Sequence, residues 1–272
     1  MTFYASWMPY ATLDDGTRLA YDVHPGASGA DGPGVLLFAG QALAGSSWSP
    51  LVEAFRAAGP VVVFDHRGIG ASDDAFPRGW STRDCARDAV GVLDAARSAG
   101  GIGDRVDVYG FSMGGRAAQW LAADHPDRVR RLILGATTVG DRHGVERPSD
   151  VLRILVRSDR RALLELFFPP DWLESHPESA EAILARPRSL PAQRAHFAAS
   201  TDHDGAAALP RIEAPTLVLH GAEDRMCPAG NAEILRAGID GARMRVYRGA
   251  RHGYHLQEPA ATVDALDFLT AP

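Results

Sequence analysis

VDVYGFSMGGRAAQWLA, residues 106–122, sets one serine, Ser112, among Gly110, Gly114 and Gly115, between an apolar run and a helical pattern. G-x-S-x-G in that position, after a strand and before a helix, is the context of a nucleophile elbow. The turn is so tight that side chains flanking the serine would clash, which calls for glycine on both sides. The same geometry lifts the hydroxyl above the sheet edge. A helix starting at Met113 would direct its free N–H groups and positive dipole end toward the same point. A glycine-rich turn with an incidental serine would share the pentapeptide, so the reading rests on what surrounds it.

Outward from this stretch the chain alternates. Apolar runs occur at 34–39 (GVLLFA), 61–65 (VVVFD), 106–109 (VDVY), 132–134 (LIL), 216–220 (TLVLH) and about 243–247. Helical patterns lie between them at 50–58, 82–98, 113–124 and 231–238. Short strands alternating with helices predict βαβ units and an α/β fold with a mostly parallel sheet. Continuous apolar runs predict strands buried on both faces. Residues 10–23 carry a DDG turn between two alternating stretches and predict an N-terminal antiparallel hairpin.

Residues 140–209 break the rhythm with prolines, many charges and apolar clusters at helical spacing (LRILV, ALLELFF). Seventy residues exceed any ordinary loop. The expected organisation is therefore a core over 1–139 and 210–272, interrupted by a helical cap over 140–209. A cap over the C-terminal edge of a sheet lies where ligands bind in open α/β folds.

The chain has 272 residues, enough to bury a core without disulfide or metal staples. Its formal charge of −6 disfavours nucleic-acid binding. All 28 basic residues are arginine, which excludes lysine Schiff-base chemistry. Cys85 and Cys227 have neither CxxC nor Cys/His spacing and read as free thiols in a reducing compartment. With no signal-like N-terminus and no membrane-length apolar run, a cytoplasmic location without membrane attachment is expected.

A serine nucleophile needs a base, and the base an orienting carboxylate, in the chain order Ser, acid, His. After TLVLHG come Glu223 and Asp224; after the last strand comes GARHGYH, with His252 and His255. Each group falls at a strand end, so chain-distant residues would converge on one sheet edge.

These residues carry a resemblance to the α/β-hydrolase superfamily over essentially the whole chain. It runs through FDHRGIGASD (64–73), GFSMGGRAAQWLAADHPDRVRRLIL (110–134), LPRIEAPTLVLHGAEDRMCP (209–228) and GARHGYHLQEP (249–259). In look it is most similar to the 3-oxoadipate enol-lactonase and carboxylesterase-like branch. The resemblance implies Ser112 as nucleophile, Asp224 as acid through a G-x-x-D pattern, and His252 as base through its following glycine. Glu223, Asp141 and His255 are the rivals. It implies an oxyanion hole from the backbone N–H groups of Met113 and Gln41. Relatives often carry His-Gly-x in the loop 38–42, and here Ala39 takes the histidine position. The loop from Asp65 to Ser72 resembles a structural turn.

The implied activity is hydrolysis of a small-molecule ester or lactone without metal or organic cofactor. The runner-up is non-hydrolytic chemistry on the same fold, a C–C bond hydrolase or a cofactor-free haloperoxidase-like enzyme. Dehalogenases and epoxide hydrolases are excluded because they use aspartate at the elbow. Proline iminopeptidase-like members carry tryptophan where this chain has Met113. Gln41, Trp48, Phe167, Phe168, Trp172 and Phe197 are the candidates to line a substrate pocket, the alternative for the aromatics being that they pack cap against core. Arg153, Arg157, Arg160, Arg161 and Arg194 are either a carboxylate-binding set or solvated helix faces.

Overall fold

The apolar runs assemble into an eight-stranded sheet in the order β1-β2-β4-β3-β5-β6-β7-β8. The computed structural model describes residues 8–28, 32–157, 159–178, 183 and 189–271. β1 (Tyr10–Thr12) and β2 (Arg18–His24) form the antiparallel hairpin, and β2 runs antiparallel to β4 (Val61–Phe64). β3 (Val35–Phe38), β4, β5 (Val106–Phe111), β6 (Val129–Gly135), β7 (Thr216–Gly221) and β8 (Arg243–Tyr247) are parallel.

Every residue of β3, β4, β5 and β7 is buried. Because successive side chains point to opposite faces, each run feeds two cores. Leu36, Phe38, Val62 and Phe64 face α2 (Thr82–Ser98), α3 (Met113–Asp124) and α8 (Gly230–Gly238). Val35, Leu37, Val61 and Val63 face α1 (Ser49–Phe55) and α10 (Pro259–Thr270), which follows the short α9 (Tyr254–Gln257). Helices thus pack on both faces of the central strands. α2 starts on a capping box, Ser81 accepting from the Asp84 backbone N–H while the Asp84 carboxylate accepts from that of Ser81.

Between β6 and β7 lie α4 (Ser149–Arg157), α5 (Arg160–Phe167), α6 (Pro170–Ser175) and α7 (Leu190–Thr201), with no strand among the described residues of this stretch. α10 was not expected from the sequence. Its buried stripe is Ala261, Ala265, Phe268 and Leu269, while Val263 is exposed, so the two faces contrast weakly in hydrophobicity.

The loop after β4 is built as a polar knot. The buried Arg67 guanidinium donates twice to Asp88 on α2, Nε to Oδ2 and Nη2 to Oδ1, both at 2.8 Å. Its Nη1 donates to Asp15, Thr17 and the Ala75 carbonyl. Asp65 accepts from the Gly45 and Ala71 backbone N–H groups. Next to it, His66 Nε2–H donates to the Ala39 carbonyl at 2.9 Å. His196 on α7 donates from Nε2 to the Arg67 carbonyl at 2.8 Å. Burial pushes the pKa of His66 down to about 3 and that of His196 down to about 4, so both imidazoles are neutral.

Two expectations follow. Asp88→Ala leaves the buried Arg67 Nε and Nη2 without their acceptors, with only the half-exposed Asp15 to balance the charge, and should lower the unfolding free energy by about 3 kcal/mol in urea denaturation. Asp15→Ala, at the half-exposed end of the knot, should cost much less. The second concerns pH. His66 and His196 take up protons more readily unfolded than folded, so their stabilising contribution is complete above about pH 6.5 and is lost as pH falls toward their folded values. Stability should drop by about 1.4 kcal/mol per pH unit for each histidine through that window. In His196→Phe the slope measured between pH 6 and pH 5 should be visibly shallower.

Candidate active site

The elbow sits at the C-terminal end of β5. Ser112 has φ 55° and ψ −118°, a left-handed backbone that costs a non-glycine residue free energy and is held by its surroundings. Its N–H donates to the Gly135 carbonyl and its own carbonyl accepts from Thr137 Oγ1 at 2.7 Å, tying the turn to β6. A Cβ at Gly114 would lie 2.2 Å from the Phe38 carbonyl oxygen, and one at Gly110 2.6 Å from the Gly114 carbonyl oxygen. The β3 backbone thus presses against the start of α3 at a place only glycine permits.

Two further strand ends deliver the other groups. His252, in the loop after β8, has Nε2 3.1 Å from Ser112 Oγ and Nδ1 2.8 Å from Asp224 Oδ2. Asp224 follows β7, and its second oxygen accepts from the backbone N–H groups of Met226 and Cys227 at 2.8 and 2.9 Å. His220, the penultimate residue of β7, reaches within 3.4 Å of Asp224 Oδ2 and donates to the Cys227 carbonyl. Burial would raise the Asp224 pKa, but the adjacent His252 and the bonds from His220 and His252 outweigh it, holding the carboxyl well below the usual range.

Of the rivals, Glu223 is exposed, and Asp141 is exposed and lies 4.0 Å from Arg147. His255 is buried with its ring 4.3 Å from that of Phe111 and 5.2 Å from that of Trp48. Burial and the nearby His252 push its pKa down to about 3.

The loop after β3 runs beside Ser112: a Cβ at Gly40 would touch the serine Cβ at 3.2 Å. This places Gln41 at the mouth of the elbow, while Met113 is buried at the first turn of α3. With Ala39 in place of the usual histidine, the loop is held from outside itself. His66 grips the Ala39 carbonyl, and His196 Nδ1 accepts from the Ala42 N–H at 3.4 Å. Ala42 itself has φ 58°.

Above the edge lies a cavity of about 620 Å³ lined by residues of the core loops and of α4, α5 and α7. Ser112, His252, Gln41 and Phe167 line it, and so do Phe111, Arg116 and Arg147. The expected places of Trp48, Phe168, Trp172 and Phe197 are corrected: none lines the cavity. Trp48 is buried in the core against Tyr109 and Phe111. Phe168 packs on Gly253, where a Cβ would lie 2.3 Å from its ring. Trp172 is stacked between Phe168 and His176. Phe197 is half-buried on α7 and leaves that wall to Leu190, Gln193 and Ser200. Large rings gain more from apolar contact than from facing an open polar cavity. Of Arg153, Arg157, Arg160, Arg161 and Arg194, only Arg160 lines it.

α5 is also joined to the histidine loop. The Gly253 N–H donates to the Phe167 carbonyl at 2.9 Å, the Phe167 ring stands edge-on to His252, and Arg251 donates to the Glu165 and Phe168 carbonyls. His220, Arg116, Arg147 and the loop-supporting pair His66 and His196 were not singled out as site residues from sequence. The i,i+4 spacing of Ser112 with Arg116, and of His220 with Asp224, was the available signal.

No helix among the described residues is long and apolar enough to cross a membrane. Residues 34–260 match the family model described as serine aminopeptidase, S33. The chain is 30% identical over 262 residues to RutD of Variovorax paradoxus, named as a candidate carbamate hydrolase, covering 92% of this chain and 96% of the relative. It superposes on the enol-lactonase of Burkholderia xenovorans LB400 with a TM-score of 0.79 at 26% identity, covering 96% of this chain and all of the other. A further solved structure, Est816, an N-acyl homoserine lactone degrading enzyme, matches with a TM-score of 0.76 at 27% identity over 96% of this chain and 99% of its own. The chain is therefore a hydrolase of the α/β-hydrolase fold and belongs to the serine aminopeptidase S33 family.

Proposed function

We propose that the protein is a serine hydrolase of a small-molecule ester or lactone. The observation that carries this reading is the unbroken line Ser112 Oγ, His252 Nε2, His252 Nδ1, Asp224 Oδ2, with contacts of 3.1 and 2.8 Å. Asp224 keeps the imidazole in the tautomer whose Nε2 lone pair faces the serine. As Oγ attacks the carbonyl carbon, its proton passes to Nε2, and the imidazolium that forms is stabilised by the ionised carboxylate. The backbone N–H groups of Met113 and Gln41 receive the oxyanion. The imidazolium then protonates the leaving alcohol, and water, deprotonated at Nε2, releases the acid and restores Ser112.

The enol-lactonase and lactone-degrading neighbours support an ester or lactone carbonyl as the target. The carbamate-hydrolase relative adds carbamates to the substrates worth testing. The cap, in this reading spanning 140–209, selects the acyl group.

A fluorophosphonate probe should add one equivalent to Ser112, read by intact mass and peptide mapping, and Ser112→Ala should abolish both labelling and p-nitrophenyl ester turnover. Asp224→Asn should lower kcat by about 10⁴-fold with the fold intact. A folded protein that neither labels nor turns over any of a series of esters and lactones would sink the reading.

A further inference from the structure

The cavity walls carry an unbalanced charge. The lining includes Arg116, Arg147 and Arg160 and, among the described residues, no aspartate or glutamate. This is not a property of the chain at large, whose formal charge is −6. Arg116 is the sharpest case: it is 2% exposed, and no carboxylate bonds it. Its Nη1 donates to the Ser200 carbonyl and hydroxyl near the C-terminus of α7, where a cation is favourable. Its Nε is buried without a hydrogen-bond partner. Arg147, entering between β6 and α4, likewise has a buried Nε without a partner, and its nearest acid is the exposed Asp141 at 4.0 Å.

Burial depresses the Arg116 pKa; the adjacent Cys227 side chain and Asp141 oppose this, and the Arg147 charge adds to it. Two guanidinium groups lining one cavity, with no carboxylate in its described lining, are a costly arrangement in the absence of an anion. A carboxylate between them would convert that arrangement into two charge-assisted contacts. The placement relative to Ser112 is set by α3: the Arg116 N–H donates to the Ser112 carbonyl, so the two residues are one turn apart, about 6 Å along the axis.

We infer that Arg116 and Arg147 form an anion subsite of the active-site cavity, and that the substrate is an ester or lactone carrying a carboxylate a few carbons from the scissile carbonyl. This rests on the serine-hydrolase reading for the carbonyl. The anion subsite itself can be tested without turnover. The same cavity has apolar wall from Phe111, Leu155, Leu163 and Phe167, which suits a short aliphatic spacer between carboxylate and carbonyl.

The test compares mono-p-nitrophenyl esters of succinic and glutaric acid with the same esters whose free carboxylate is capped as a primary amide. The wild-type kcat/KM should favour the acid over the amide by at least about tenfold, mainly through KM, and the preference should shrink with added salt. Arg147→Gln should bring the ratio to within about threefold of unity, and Arg116→Gln should do the same if it folds. In Ser112→Ala protein, glutarate should bind by calorimetry, and Arg147→Gln in that background should weaken binding at least tenfold.

Equal turnover of acid and amide by the wild type would overturn the anion subsite while leaving the hydrolase reading intact. A preference unmoved by Arg147→Gln would overturn the assignment to this pair. Glutarate binding to Ser112→Ala protein, with no ester turned over by the wild type, would support the subsite and count against the hydrolase reading alone.

Discussion

A strained backbone at Ser112 is what the rest of the molecule is arranged to hold. A φ of 55° at a non-glycine residue is unfavourable by itself, and it persists because the turn is clamped on every side. Gly135 at the end of β6 and Thr137 just after it each supply a hydrogen bond, and glycines at 110 and 114 let the neighbouring backbones come within contact of the elbow. The strain presents the hydroxyl above the sheet edge, and it also forces the loop after β3 to run directly alongside. One local constraint thus positions the serine and the candidate oxyanion donors together.

The groups that meet Ser112 come from distant parts of the chain. A parallel sheet points all its C-terminal strand ends the same way, so β3, β5, β7 and β8 deliver Gln41, Ser112, Asp224 and His252 to one edge without any long-range contact being specified separately. Helices cover both faces of the central strands. The segment between β6 and β7 is tied to this edge at two places. Phe167 and Phe168 engage the loop of His252, and His196 engages the loop of Gln41 through Ala42.

Much of the fold was legible because it follows from local rules. Apolar runs of three to six residues, a DDG turn and the helical periods between them all act over short spans, and these elements occur where their patterns place them. α10 escaped because its buried stripe is half alanine, so burial there comes from close packing and leaves only a faint hydrophobic period. The aromatic residues Trp48, Phe168, Trp172 and Phe197 were misplaced for a related reason. Composition shows that a ring will seek burial but not whether it finds it in a core, a stack or a cavity wall; Trp48 and Phe168 are buried away from the cavity, and Trp172 and Phe197 are half-buried outside its lining.

The sequence by itself determined the βαβ order, the elbow around Ser112 and the chain order of its partners, because each depends on residue types at short spacings or at strand ends. Only the tertiary structure decided what supports them. Ala39 broke a familiar pattern, and the replacement support comes from His66, 27 positions away, and from His196, 154 positions from the Ala42 it holds. Likewise Arg116 and Arg147 reach one cavity only because α3 and the segment before α4 converge over the sheet edge. Contacts of that range obey no period in the sequence. They exist only once the sheet has brought its strand ends together.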